Sequence, residues 1–305
     1  MPDRSWEIEL LVMARSDVAA YTNSGVSAIT QAAMFGHVEA IETLVELGAD
    51  LLKQNKTENI HLTPMHAAAY SGFPKVIEAL VKLKADVKCE DLENTPINLA
   101  AVSGHVDTIK TMAALGADVN KTGWRFPGDK PLHSASGEGR LDAVDILLLL
   151  GADPSARKSP ESMDFIEDKG STPMHDAALN GYVGVIERLH QAGASVSEPD
   201  DYGSTPMHCA AYRGQVAAIE ALNRLGASIS TPAVDGTTPI MTAAEKGSVA
   251  AIETLARLGA DVAATTPSGA SAVHYAAREG QVEAIKVLNR LGANISTPAA
   301  DGTPP

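Results

Sequence analysis

Aromatic side chains are scarce in this chain: two Trp, six Tyr and four Phe among 305 residues, or 4%. A core assembled with so few rings must come mainly from Ala, Leu, Ile and Val, and small side chains suit helices packed close together. Cysteine is almost absent, and Cys89 and Cys209 lie too far apart in sequence to read as a ligand pair or a disulfide framework. Basic residues are outnumbered, 24 Lys and Arg against 38 Asp and Glu, for a net charge of −14 and a pI near 5.0. An acidic chain has no long-range attraction for nucleic acid or anionic lipid, so neither is expected as a partner. Long apolar runs are missing too. The longest, around Ile146 to Leu150, is far too short to span a bilayer. The N-terminal stretch MPDRSWEIELLVMA has charges inside its only apolar segment and makes a poor signal peptide. The sequons at Asn55-Lys56-Thr57, Asn120-Lys121-Thr122 and Asn294-Ile295-Ser296 therefore read as chance matches. A reducing intracellular compartment, the cytoplasm, is the expected location.

With 45% apolar and 20% charged residues the chain is foldable rather than disordered. What it has in abundance is repetition, which must be sought first because it overrides any domain count taken from length. Ala28, Pro64, Pro96, Pro131, Pro173, Pro206, Pro239 and Ala272 serve as anchors. Four residues after each stands alanine, from Ala32 to Ala276, and eight after each stands glycine, from Gly36 to Gly280. Twenty after each comes glycine again, except at Lys84. Eight units in register leave no room for coincidence.

Each unit has a physical reading. Thr63 before Pro64 starts a helix, since the hydroxyl caps free N–H groups and proline at the first helical position has its φ preset. Ala68 and Ala69 supply a small face, and Gly72 stops the helix. A second helix follows with apolar residues at helical spacing, as in Val216, Ile219, Leu222 and Leu225, and Gly226 ends it. A polar link with turn signals such as Asp201-Tyr202-Gly203 leads onward.

A helix–turn–helix of about 33 residues with a protruding turn resembles the ankyrin repeat. The family motif T-P-L-H-x-A-A is nearly verbatim in Thr63-Pro64-Met65-His66-Ala67-Ala68-Ala69 and recurs at Thr172 to His175 and Thr205 to His208. The resemblance covers roughly residues 22–303 and implies an all-α solenoid of stacked helix–turn–helix units with protruding turns. Residues 1–21 are expected to form a capping helix or degenerate repeat, 22–300 the eight repeats, and 301–305 the start of a truncated further unit. The last full unit shows no polar adaptation as a cap, so the chain is expected to be part of a longer repeat protein or to have its eighth repeat covered. The spacing between the fourth and fifth anchors is 42, not 33. That places an insertion near 154–169, expected to be a long, mobile, partly exposed loop. Its Lys158-Ser159-Pro160-Glu161 offers a proline-directed phosphorylation site beside Arg157, although a plain solvated loop is the simpler reading.

The repeat register also removes most residues that look chemical. His66, His133, His175, His208 and His274 share one unit position, and the resemblance gives that ring a hydrogen bond to the neighbouring capping hydroxyl. His37 and His105 follow the helix-ending glycine, again a family position. His61 and His190 alone do not make a metal site. Repeats one, three and seven lack the motif histidine and have Thr30, Asn98 and Met241 there. Cys209 beside Ala210 reads as a packed thiol, and no phosphate loop, nucleophile elbow or His-Glu-x-x-His occurs. No enzyme activity, cofactor or metal is expected.

Function is expected in protein binding. The resemblance implies that the concave side, made by the turns and the tails of the first helices, takes a protein or peptide. Phe35, Tyr70, Leu179, Tyr212 and Arg213 lie on such tails, and Trp124, Phe126 and Tyr202 lie in or near the turns. Trp, Tyr and Arg most often anchor interfaces, so these eight residues form the candidate partner-binding set, spread over repeats one to six. The chain is expected to act as a monomeric scaffold or adaptor. The alternatives are a stand-alone inhibitor of an enzyme or the targeting arm of a multidomain ubiquitin-ligase subunit, kinase or channel.

Overall fold

A computed structural model describes residues 21–23, 25–51, 62–89, 95–123, 128–158 and 169–294. Outside the described residues lie the expected N-terminal capping helix, His61, Trp124, Phe126, Ser159 and the start of a ninth unit at 301–305. The chain divides into two compact units, one of Met1–Ala135 with Asp142–Asp153 and one of Ser136–Leu141 with Pro154–Pro305.

In the first unit three helix pairs follow one another: α1 (Ala28–Met34) with α2 (Val38–Glu46), α3 (Pro64–Ser71) with α4 (Pro74–Lys82), and α5 (Pro96–Ser103) with α6 (Val106–Ala114). The fourth pair, α7 (Pro131–Gly137) and α8 (Leu141–Leu149), is divided between the units. The second unit holds α9 (Pro173–Asn180) with α10 (Val183–Gln191), α11 (Pro206–Tyr212) with α12 (Val216–Arg224), α13 (Pro239–Glu245) with α14 (Val249–Arg257), and α15 (Ala272–Arg278) with α16 (Val282–Arg290). No strand occurs among the described residues, only isolated bridges at Tyr21–Ser27 and Thr265–Ser271. The expected all-α stack of helix pairs is the observed fold.

Within each unit, first helices pack on first helices and second helices on second helices. The first-helix layer is closed by alanine: Ala67, Ala68, Ala69, Ala100, Ala101, Ala177, Ala178, Ala210 and Ala211 are completely buried. The second helices bury a stripe of larger residues, such as Ile77 and Leu80, Ile186 and Leu189, and Ile219 and Leu222. Their outer faces carry a ladder of ion pairs, Arg224 to Glu187, Arg257 to Glu220 and Arg290 to Glu253. All six residues are well exposed, so each pair contributes at most about 1 kcal/mol.

Helix starts and stops follow the sequence. Thr63 and Thr95 accept hydrogen bonds from the N–H groups of His66 and Asn98, and proline opens both helices. Gly72 ends α3 at φ 80°, but conformation is only half of its reason. A Cβ there would fall 2.6 Å from the ring of His105 in the next repeat. The rings of Phe73 and Tyr182 lie equally close over Gly36 and Gly139. At these positions the residue after a helix-ending glycine packs onto the glycine of the repeat before.

Lys84 departs from the glycine rule yet keeps its backbone, at φ 74° the one positive-φ residue other than glycine among those described. A Cβ at the equivalent Gly48, Gly193 or Gly226 would meet nothing within 4 Å. Lysine therefore fits, and its cost is purely conformational. Lys84→Gly is expected to stabilise the protein by about 1 kcal/mol, read as a higher denaturant midpoint. An unchanged or lower midpoint counts against this account.

Candidate functional site

The motif histidines are framework, and the hydrogen bonds say how. In the fifth repeat the Thr172 N–H donates to His175 Nδ1 at 3.1 Å, and Thr172 Oγ1 lies 2.9 Å from the same nitrogen. Nδ1 is therefore an acceptor, which leaves Nε2 as the protonated nitrogen. Nε2 donates to the Ser204 carbonyl of the next repeat at 3.0 Å. His208 repeats the pattern, from Thr205 on one side to the Thr237 carbonyl at 3.0 Å on the other. Each ring bridges two repeats. Burial holds the pKa of His175 down at about 4 and lowers that of His208, so both rings stay neutral.

Where the histidine is missing the bridge is incomplete. Asn98 Nδ2 still donates to the Asp129 carbonyl at 3.1 Å, but its Oδ1 is buried without a partner. In repeat seven the Thr238 N–H meets only the sulfur of Met241 at 3.5 Å, and Thr238 Oγ1 is buried unpartnered. His133 accepts from the Lys130 N–H at 3.3 Å, since no hydroxyl residue precedes Pro131. His105 Nε2 bonds the Tyr70 carbonyl at 2.9 Å. His190 is exposed on α10. Among the described residues no three of His, Cys, Asp or Glu converge as a metal site would require. No helix among them is long and apolar enough to cross a membrane.

The six described members of the candidate binding set fall into two groups. In the first unit Phe35, just past α1, is 59% exposed and Tyr70, near the end of α3, is 53% exposed. The rings that lie over the helix-ending Gly36 and Gly72 are those of Phe73 and His105. In the second unit Tyr212 and Arg213 are exposed where α11 ends, Tyr202 is exposed in the turn before α11, and Leu179 is half-buried. Sequence reasoning missed a companion here. Lys246 Nζ lies 4.6 Å from the centre of the Tyr212 ring and 2.9 Å from Glu245. The hydrogen bond to Glu245 raises the lysine pKa. Arg278 stacks likewise on Tyr275, 5.2 Å from its centre. The signal for Lys246 was the 33-residue register, which brings the end of one first helix beside residues 245 and 246 of the next repeat; Tyr275 and Arg278 are an i, i+3 pair on α15.

The insertion is pinned at both ends. Ala156 is 2% exposed and Lys158 is 8% exposed. Lys158 Nζ reaches Asp176 at 2.9 Å, and its N–H bonds the Ser171 carbonyl at 2.9 Å. Arg157 is engaged by Asp201 at 2.8 Å, Glu198 at 3.3 Å and the Pro199 carbonyl at 2.8 Å. The described flanks are thus packed where a mobile loop was expected, because these two cations bind carboxylates of their own and the next repeat. Arg157 is paired with carboxylates of its own, while Ser159 lies outside the described residues.

Close alanine helices, threonine–proline starts and histidine bridges define a stacked-repeat scaffold. A family model described as "Ankyrin repeats (3 copies)" matches residues 6–91, 83–158 and 223–299, and one described as "Ankyrin repeats (many copies)" matches 174–222. The chain belongs to the ankyrin repeat family, whose repeats are protein-interaction modules. NF-kappa-B inhibitor alpha is 24% identical in human and 28% in rat over 157 residues, 52% of this chain and 38% of the relative. Mouse protein phosphatase 1 regulatory subunit 27 is 35% identical over 63 residues, 21% of this chain and 39% of that protein. The chain therefore spans well under half the length of these relatives, which by name are regulators rather than enzymes. Among solved structures, the human ASB11 ankyrin repeat domain aligns with a TM-score of 0.63 at 25% identity, covering 76% of this chain and 99% of that one.

Two predictions follow from the histidine bridges. The folded pKa of His175, about 4, lies below the ordinary 6.5, so the unfolded state binds the extra proton between those values. The stability contributed by the neutral ring is full above about pH 6.5 and is lost as the pH falls toward 4. His175→Asn, which borrows the residue of repeat three, is expected to be less stable at pH 7 but to lose less stability between pH 6.5 and 4. Parallel pH dependences of the two denaturant midpoints would refute this. Met241→His supplies the missing bridge to Thr238 and is expected to stabilise by about 1 kcal/mol; a lower denaturant midpoint would refute this.

Proposed function

We propose that the chain binds a segment of another protein along the first-helix tails, with Phe35 and Tyr70 as the principal anchors. The observation carrying this reading is the pairing of two half-exposed rings with a charge-free surface. The helices α1, α3 and α5 read AITQAAM, PMHAAAYS and PINLAAVS, without an Asp, Glu, Lys or Arg, and their one histidine, His66, is buried. Large exposed aromatics among small uncharged neighbours stabilise association by apolar burial and need no opposing charge. Val102 and Ser103 extend the same tail positions on α5.

The second unit offers a different chemistry. Tyr212, Arg213 and Lys246 combine a ring with cations, and Leu179, Tyr202, Tyr275 and Arg278 occupy neighbouring turns and tails. A segment bound there is held by stacking and charge-assisted hydrogen bonds rather than by apolar burial alone. The names of the relatives support a regulatory use: the chain inhibits or directs a partner by occupying a face of it. Trp124 and Phe126 belong to the same reading as turn anchors of repeat four. No cofactor or metal is needed for this action.

The full chain with Phe35→Ser and Tyr70→Ser together is expected to lose partner capture from native extracts by about tenfold or more, the scale of two interface anchors. Its denaturant midpoint should stay close to wild type, because both side chains already face solvent. Undiminished capture by the folded variant would sink the assignment of this face.

A further inference from the structure

Arginines of the second unit are, as a rule, already neutralised. Arg224, Arg257 and Arg290 each sit on a glutamate of the preceding repeat, and Arg157 sits on Asp201. Arg213 departs from this rule. It caps the C-terminal end of α11, is exposed, and makes no side-chain hydrogen bond or ion pair among the described residues. A cation at a helix end gains a little from the helix dipole, but in the open that gain is screened by salt. The five N–H donors of the guanidinium remain available to an anion.

Lys246 holds the equivalent place one repeat on, as the cap of α13, and α13 packs against α11. Its ammonium lies over the Tyr212 ring, 4.6 Å from the centre, and donates to Glu245 at 2.9 Å. The other oxygen of Glu245 faces Arg278 at 3.3 Å, and Arg278 also bonds Glu279 at 3.0 Å. Arg213, Lys246 and Arg278 thus bring three positive charges against the two negative charges of Glu245 and Glu279, and the surplus lies with Arg213. Glu245 is the most covered member of the group, its side chain 22% exposed against 35% for Lys246 and 60% for Arg278. The cations therefore lie outermost. This surplus is local, in a chain of net charge −14. An acidic segment is repelled by the molecule at long range and gains only where cations and a ring stand close together.

We infer that the ends of α11 and α13 select an acidic segment of a partner protein, with Arg213 and Lys246 receiving Asp or Glu side chains beside the Tyr212 ring. The inference rests on the reading that the second unit binds a protein segment, and it assigns that segment its charge. Arg213 takes a carboxylate through two parallel N–H donors, a geometry that an ammonium cannot copy. Lys246 adds a point charge that Glu245 holds over the ring, so Glu245 is a positioning residue. If both cations served only the helix ends, replacing them would lower stability and leave the choice of segment unchanged.

Selection from a library of random decapeptides on the immobilised full-length chain tests it. Asp and Glu should be enriched about tenfold over Asn and Gln at one or two positions of the retained peptides, the scale of a hydrogen bond to a charged group. Arg213→Gln with Lys246→Gln should abolish that enrichment at an unchanged denaturant midpoint, because both residues are exposed. Arg213→Glu with Lys246→Glu should reverse it, so that Lys and Arg are selected at the same positions, an outcome that damage to the fold does not produce. Retained peptides without an acidic preference, or a preference that survives both double variants, overturn the inference and leave segment binding by the second unit standing. Retention of no peptide by the wild-type chain overturns the inference and that reading together.

Discussion

The distance between consecutive first helices is the constraint on which the rest of this protein depends, and alanine sets it. With Ala67 to Ala69 and their counterparts completely buried, backbones approach as closely as a methyl group allows. At that distance the ring of His105 lies directly on Gly72, and an imidazole anchored in one repeat just reaches a carbonyl of the next. A larger residue in the alanine layer would part the helices and break both contacts together. The second helices, with Ile and Leu stripes, supply the apolar burial; the alanine layer supplies the register.

That register also decides what remains outside. Alanine occupies the central buried positions of the first helices, larger buried side chains such as Met65, Ile97 and Met174 sit near their starts, and Phe35, Tyr70 and Tyr212 stand exposed at their ends. The two units use the same positions differently. The first is free of charge along its first helices, whereas the second interleaves Arg213, Glu245, Lys246, Arg278 and Glu279 with tyrosines. A net charge of −14 describes neither surface. Local placement, with cations stacked on Tyr212 and Tyr275, gives the second unit its own chemistry within an acidic chain.

Much of this was legible from spacing alone. The anchors at Pro64, Pro96, Pro173, Pro206 and Pro239 mark helix starts to the residue, because threonine caps and proline act within one turn. The histidine-to-hydroxyl bonds followed from the family resemblance. The far half of each bridge did not, since its acceptor is a backbone carbonyl that no side chain announces. Lys84 shows the converse: the sequence departs from glycine, yet the backbone keeps the left-handed turn because the surrounding repeat imposes it. Around the insertion, spacing located the extra residues but not their attachment. Arg157 and Asp201 are 44 positions apart, and nothing periodic links them.

The sequence by itself therefore determined the repeat, its helix boundaries, its buried stripes and the family to which it belongs, because each is written in short-range spacing and repeated until chance is excluded. Tertiary structure alone decided which charges are already committed, which glycines carry a neighbour's ring, and which aromatic side chains remain exposed. Those outcomes depend on residues brought together from consecutive repeats at a distance that the alanine layer fixes, and a linear pattern does not contain that distance.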